Sequence, residues 1–278
     1  MSVLKIVHRT TFNYDRIVAT SYNEARLTPA WLPRQRVLDS KIEITPMAWK
    51  SQYRDYWETD VTVFEVTEPH ESLTVTATSQ VEIMPVAAKA ERVGWDDLSG
   101  PLFQDLLAEY LAQSSATEPT AELAEFAHEA AGRLDPDGAA RLVCEYLYEH
   151  VKYVPGSTSV HTPARDAWEA KSGVCQDFAH LAIGALRHIG VPARYVSGYL
   201  HPRADAGIGE TVRGESHAWV EWWTGDWFGF DPTNDKEVGD HHVVVARARE
   251  YRDVPPLSGV FAGSGSELEV SVKVTQLS

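Results

Sequence analysis

Cysteine is scarce in this chain: its 278 residues hold two, Cys144 and Cys175, and no CxxC pair. So sparse a set argues against a disulfide framework and for a reducing compartment, and a cytoplasmic location is expected. Metal-ligand clusters are also lacking. The only adjacent pair of strong candidates is His241 and His242, whose side chains would point to opposite faces of a strand, so no metal and no other cofactor is expected. Apolar runs such as Val243 to Ala246 fall far below the roughly 18 to 20 residues that span a bilayer. Residues 1–11 alternate without an apolar core followed by a small-residue cleavage site, which argues against export by a signal peptide. Basic residues are the minority, 25 Lys and Arg against 40 Asp and Glu, a net charge of −15. That is the wrong sign for neutralising phosphates, so neither nucleic acid nor an anionic membrane is expected as a partner.

What is present is a globular composition, 44% apolar and 23% charged, in a chain long enough for two units. Residues 3–84 read as short strands rich in Val, Ile, Thr, Tyr and Trp, punctuated by Pro29, Pro33, Pro46 and Pro69. Alternation is plain in Val61, Val63, Glu65 and in Leu73, Val75, Ala77, and predicts an all-β module, a small sandwich or barrel, over residues 1–88. From Leu98 onward Ala, Leu and Glu take over. Helices are expected over 102–111, 119–134 and 137–151, with Pro119 and Pro136 placed as helix starters. The division between the units is put at 87–94, and residues 95–278 are assigned to the second. Eleven acidic residues lie between Glu91 and Asp137 against two arginines. Glu118, Glu122, Glu125 and Glu129 share a helical face opposite Leu123, Phe126, Ala127 and Ala130, which reads as the wet side of a surface helix.

Beyond Val151 the pattern is mixed. A loop over 153–161 leads to a brief helix begun at Thr162 and Pro163, then to a longer helix over 174–189 that Gly190 and Pro192 end. Strands are expected over 193–200, 217–223 and 227–230, with a polar loop at 201–214, and alternation returns in Leu268, Val270, Val272 and Val274.

Three separated residues can be assembled into one chemistry. Cys175 opens the long helix, where unpaired backbone N–H groups and the positive end of the macrodipole favour an anion, a thiolate or the oxyanion of a tetrahedral intermediate. One and two turns on stand Ala179 and Ala182, small enough to accept a facing strand. His180, five positions on at about 100° each, lies roughly 140° around the helix and cannot be the partner base. His217 begins one strand and Asp231 ends the next. The short Thr224-Gly-Asp226 connection makes these two strands a hairpin, which sets the imidazole beside the carboxylate. Cys144, flanked by Val143 and Leu147 in a helix, reads as an inert core thiol. Trp219, Trp222, Trp223 and Trp227 read as packing.

The run GVCQDFAH around Cys175, ARYVSGY at 193–199, SHAWVE at 216–221, FDPTN at 230–234 and VPPLSG at 254–259 together resemble the bacterial transglutaminase-like superfamily. The opening HRTTFNYD at 8–15 and ARLTP at 25–29 are similar to the β-rich module that accompanies these proteins. The resemblance implies an α+β fold: a papain-like core with a nucleophile helix packed on an antiparallel sheet, preceded by the small all-β module. It also implies Cys175 as nucleophile, His217 as general base and acid, and Asp231 as orienting carboxylate. The expected activity is acyl transfer at amide bonds of a peptide or protein substrate through a thioester, hydrolytic in preference to transfer onto an amine, with a catalytically silent binding module or a metal-dependent hydrolase on His217, His241 and His242 as the alternatives. Animal members use calcium and a tryptophan well upstream of the nucleophile, whereas the nearest upstream tryptophan here is Trp168, so those properties are not carried over.

Overall fold

The structure, a computed structural model, describes residues 2–84, 91–203, 206–263 and 265–278. The expected division at 87–94 begins in a stretch outside the described residues.

The chain opens with six strands, β1 (Ser2–Val18), β2 (Ser21–Ala25), β3 (Gln35–Thr45), β4 (Trp49–Arg54), β5 (Asp60–Val66) and β6 (His70–Ile83). In β1, Leu4, Ile6, His8 and Thr10 are buried, and in β6 so are Leu73, Val75, Ala77, Ser79 and Val81. This is the period-two pattern of a sheet with one face on a core. Ala25, Phe64 and Val66 from one sheet meet Ile42, Leu73, Val75 and Ala77 from the other in a common apolar cluster, the sandwich that the alternation predicts.

Helices follow: α1 (Trp95–Leu98), α2 (Pro101–Leu106), α3 (Ala108–Leu111), α4 (Ala121–Ala131) and α5 (Pro136–His150). The helix expected over 102–111 is broken, because Leu107 leaves helical geometry at φ −113°, ψ 15°. Leu102 and Leu106 are exposed, so no buried stripe rewards continuity there. α5 starts at Pro136 as expected, with Asp135 capping Gly138 N–H, whereas α4 starts two residues beyond Pro119, with Thr120 capping Leu123 N–H.

The remaining elements are β7 (Lys152–Tyr153), α6 (Ala164–Ala170), β8 (Ser172–Gly173), α7 (Cys175–His188), β9 (Ala193–Leu200), β10 (Thr211–Trp223), β11 (Trp227–Asp231), β12 (Lys236–Glu237), β13 (His242–Ala248), β14 (Leu257–Phe261) and β15 (Ser266–Gln276). The main sheet runs β12-β11-β10-β15-β1-β6-β3, with β9 on β10 and β13 on β9; a second sheet runs β14-β2-β5-β4. The C-terminal strands therefore return to the N-terminal module, β15 pairing with β1 and β14 with β2.

Strand β10 joins the two halves. Its first residues, Thr211–Gly214, pair with β15, and the rest pairs with β9. Residues 211–214 were expected as loop. They become strand because their partner, Val272 to Thr275, arrives from the far end of the chain. No helix among the described residues is long and apolar enough to cross a membrane.

Every residue of α7 from Gln176 to Arg187 is buried. Its small residues allow this: a Cβ on Gly184 would come within 1.7 Å of the Thr117 carbonyl oxygen, so only glycine lets that backbone approach. At the C-terminal end Arg187 donates to the carbonyls of Tyr110, Ala112, Ala193 and Arg249. α7 is thus tied to the helical layer and to both strand β9 and the loop after β13.

Candidate active site

Cys175 is the first residue of α7 and is partly exposed, whereas the residues after it are buried. The turn that presents it is built by Asp177. Its Oδ2 accepts from Val174 N–H at 2.7 Å and from the Thr158 hydroxyl at 2.6 Å. This carboxylate satisfies one helix-start donor and pins the preceding loop. Gly173 is required for the approach, since a Cβ there would lie 2.7 Å from Asp177 Cβ. The N–H groups of Cys175 and Gln176, in the first turn, have no intrahelical acceptor. They are the donors available to an oxyanion at this point.

His217 and Asp231 come from the hairpin. Trp223 pairs with Trp227 and Val220 with Phe230, a register that sets Asp231 opposite Trp219 and diagonal to His217 on the same face. The imidazole Nε2 lies 2.8 Å from Asp231 Oδ2, and both side chains are buried. With Nε2 engaged, Nδ1 is the nitrogen left for Cys175. Burial alone would lower the His217 pKa. Hydrogen bonds to Asp231 and Cys175, with the charge of both, override it and raise the ring from 6.5 to about 10. Imidazolium, held between Asp231 and Cys175, is therefore the favoured form of the ring at neutral pH.

Asp231 is fully buried and saturated with donors. Oδ1 accepts from Thr233 N–H at 3.1 Å and Asn234 N–H at 3.3 Å. Oδ2 accepts from His217, from Asn234 Nδ2 at 2.8 Å and from His242 Nε2 at 3.3 Å. Burial would raise the carboxyl pKa, but these bonds hold it far below the usual carboxylate range. Gly239 N–H donates to His242 Nδ1, so the proton of this neutral imidazole sits on Nε2 and points at Asp231. Desolvation lowers the His242 pKa and keeps it neutral. Asn234 and His242 were not singled out as supports of Asp231. The FDPTN run could have indicated Asn234; His242 arrives from β13, and nothing local to Asp231 signals it.

Two tyrosines complete the surroundings. Tyr153 is held protonated, its pKa raised to about 12 by burial and by the charges of Cys175 and Glu215. Tyr195 is buried and also held protonated, with Cys175 again opposing its ionisation. Neither was singled out from the sequence, because each is brought to the sulfur only by packing. Cys144 lies in the core of α5, fully buried, and burial pushes its thiol well up. Trp219 and Trp222 are fully buried. Trp219 stands edge-on to His242, ring centroids 5.2 Å apart, and beside His217. His241 turns away from this cluster and packs beside His201. Among the described residues no group of three or more His, Cys, Asp and Glu is placed to hold a metal ion.

Comparison with known proteins bears on this geometry. Residues 4–82 match the bacterial transglutaminase-like N-terminal region, and residues 124–232 match the transglutaminase-like superfamily. Uncharacterized protein ML0607 of Mycobacterium leprae is 40% identical over 275 residues, covering 99% of both chains. Uncharacterized protein Mb2599c of Mycobacterium bovis is 35% identical over 305 residues, covering 97% of this chain and 91% of the other. Among solved structures, a candidate cysteine protease from Cytophaga hutchinsonii superposes with a TM-score of 0.74 at 20% identity, covering 99% of this chain and 97% of its own. At that identity the likeness concerns the fold.

Proposed function

Since the chain belongs to the transglutaminase-like superfamily and carries the bacterial transglutaminase-like N-terminal region, we propose that it is a cysteine-dependent acyl-transfer enzyme acting on amide bonds, with Cys175, His217 and Asp231 as its catalytic residues. The observation that carries the reading is the buried His217–Asp231 pair at 2.8 Å, with the ring's other nitrogen left to a thiol at a helix N-terminus. In this mechanism the Cys175 thiolate attacks the amide carbonyl carbon, and N–H groups at the start of α7 receive the oxyanion. The C–N bond breaks as His217 passes its proton to the departing amine, leaving a thioester. Water then loses a proton to His217 and attacks the thioester carbonyl carbon, and the C–S bond breaks, releasing the carboxylic acid and restoring the thiolate beside the protonated ring. Asp231 orients the ring and stabilises its charge throughout.

Hydrolysis is favoured over transfer to an amine, which requires a site where an amine outcompetes water. Cys175 is partly exposed, and Tyr153, whose ionisation its charge opposes, is exposed as well. The test is mass spectrometry of the protein after incubation with a peptide library, with and without added primary amines. Expected are a transient acyl adduct on Cys175 and free-acid products. Amine-linked products in excess would reverse the choice of acceptor, and turnover that survives Cys175→Ala would overturn the reading.

A further inference from the structure

A cleft of about 760 Å³ opens between the N-terminal module and the helical half, within the size range of ligand sites. One wall is aromatic and comes from the module and the returning tail: Phe12, Tyr14 and Phe261, with Phe12 stacked on Tyr14 and Tyr14 tilted against Phe261 at 4.8 Å. The opposite wall includes Tyr251 and His180, and Ser115 is part of the lining.

His180 is the telling residue. It is 2% exposed. Its Nε2 accepts from Tyr251 N–H at 3.1 Å, so the ring proton is on Nδ1, and that Nδ1 is buried without a partner. A buried donor with nothing to donate to is costly and calls for an acceptor. Burial lowers the ring's pKa to about 3, so it stays a neutral N–H donor at any physiological pH. The arginines of the lining are already engaged, Arg252 with Glu250 at 2.9 Å and Arg165 with Glu118 at 3.5 Å. The chemistry that fits is an uncharged, apolar side chain carried on a backbone that offers carbonyl oxygens.

The cleft is linked to the candidate nucleophile through intermediate residues. Gln176, next to Cys175, donates to the carbonyl of Val160, a residue of the lining. Tyr251 stands edge-on to Tyr195 at 6.2 Å, and the Tyr195 hydroxyl feels the charge of Cys175.

We propose that this cleft is the substrate subsite for an aromatic or large aliphatic side chain of a peptide, with His180 Nδ1–H donating to a peptide carbonyl and the β module supplying the selective wall. The proposal rests on reading Cys175 as the nucleophile, and its test separates the two. Binding is measured on Cys175→Ala protein with a blocked tetrapeptide amide carrying phenylalanine, and with the same peptide carrying glutamate there. The phenylalanine peptide should bind at least tenfold more tightly. Ser115→Trp, which fills the cleft from an exposed position, and Phe12→Ala, which removes part of the wall, should each weaken that binding about tenfold. The phenylalanine peptide should also shift the His180 Nδ1–H proton resonance. Equal affinity for the two peptides, absence of binding, or binding indifferent to both substitutions would overturn the proposal. Haloacetamide labelling of Cys175 in the unsubstituted protein is scored separately. A reactive thiol without peptide binding sinks the cleft alone, and peptide binding with an inert thiol sinks the acyl-transfer reading alone.

Discussion

Replacing Asp231 by asparagine keeps the shape of the side chain and reverses the polarity of the edge that matters. Three donors converge on Oδ2, from His217, Asn234 and His242, and an amide that keeps its oxygen for the backbone donors at Oδ1 must turn its NH₂ toward those three donors. The His217 ring then keeps its burial and loses one of the two partners that offset it, with Cys175 remaining. Its pKa, now about 10 against 6.5 for a free ring, should fall toward the free-ring value. At pH 7.5 the imidazolium fraction would drop from near one to about a tenth, so reactions that need thiolate opposite imidazolium slow about tenfold. The assay is the rate of Cys175 alkylation by iodoacetamide at pH 7.5, read by mass spectrometry, with circular dichroism to confirm folding. Stability provides a second readout. The folded pKa lies above the unfolded one, so the contribution of His217 is full below pH 6.5 and is lost as pH rises toward 10. The interval corresponds to about 5 kcal/mol at 1.36 kcal/mol per pK unit. The stability gap between the two proteins should narrow over that window. An unchanged alkylation rate in a folded variant, together with a pH-independent gap, would refute the reasoning.

Other outcomes follow from the same structure. In the native protein a haloacetamide should modify Cys175 and spare Cys144, which burial both shields and holds protonated; equal labelling of the two thiols before unfolding would contradict this. Glu221 is buried between Arg194 at 2.6 Å and Arg247 at 2.8 Å, so Glu221→Gln should cost about 3–5 kcal/mol in urea unfolding at neutral pH. Burial raises the Glu221 pKa, but the two guanidinium groups outweigh it and leave it below 4.5, so the penalty should shrink as pH falls through the carboxyl's lowered folded value; a constant penalty would show that charge is not its origin. Gly184→Ala drives a Cβ toward the Thr117 carbonyl oxygen and should destabilise by about 1–3 kcal/mol or more while leaving the residues of the candidate site unaltered. A change within about 0.5 kcal/mol would mean that α7 is less tightly seated than the structure shows.

Much was legible in the residue order, because it depended on local spacing. Strand alternation, the start of α5 at Pro136, the helix over Cys175–His188 and the tight β10–β11 turn are all decided within a few residues. The hairpin made His217 and Asp231 neighbours before any coordinates, and the placement of Cys175 at a helix start needed only the Gly190 and Pro192 stop and the apolar pattern before it. Tertiary structure alone decided the rest, since each remaining feature joins partners far apart in the chain. β15 crosses back to β1 and converts residues 211–214 from loop to strand. His242 comes from β13 to share Asp231 with His217. Residues 12, 180 and 251 meet at one cleft. Backbone hydrogen bonding along a short segment leaves its trace in periodicity and turn residues, whereas a contact between distant segments is set by how whole layers stack and has no local signature to read.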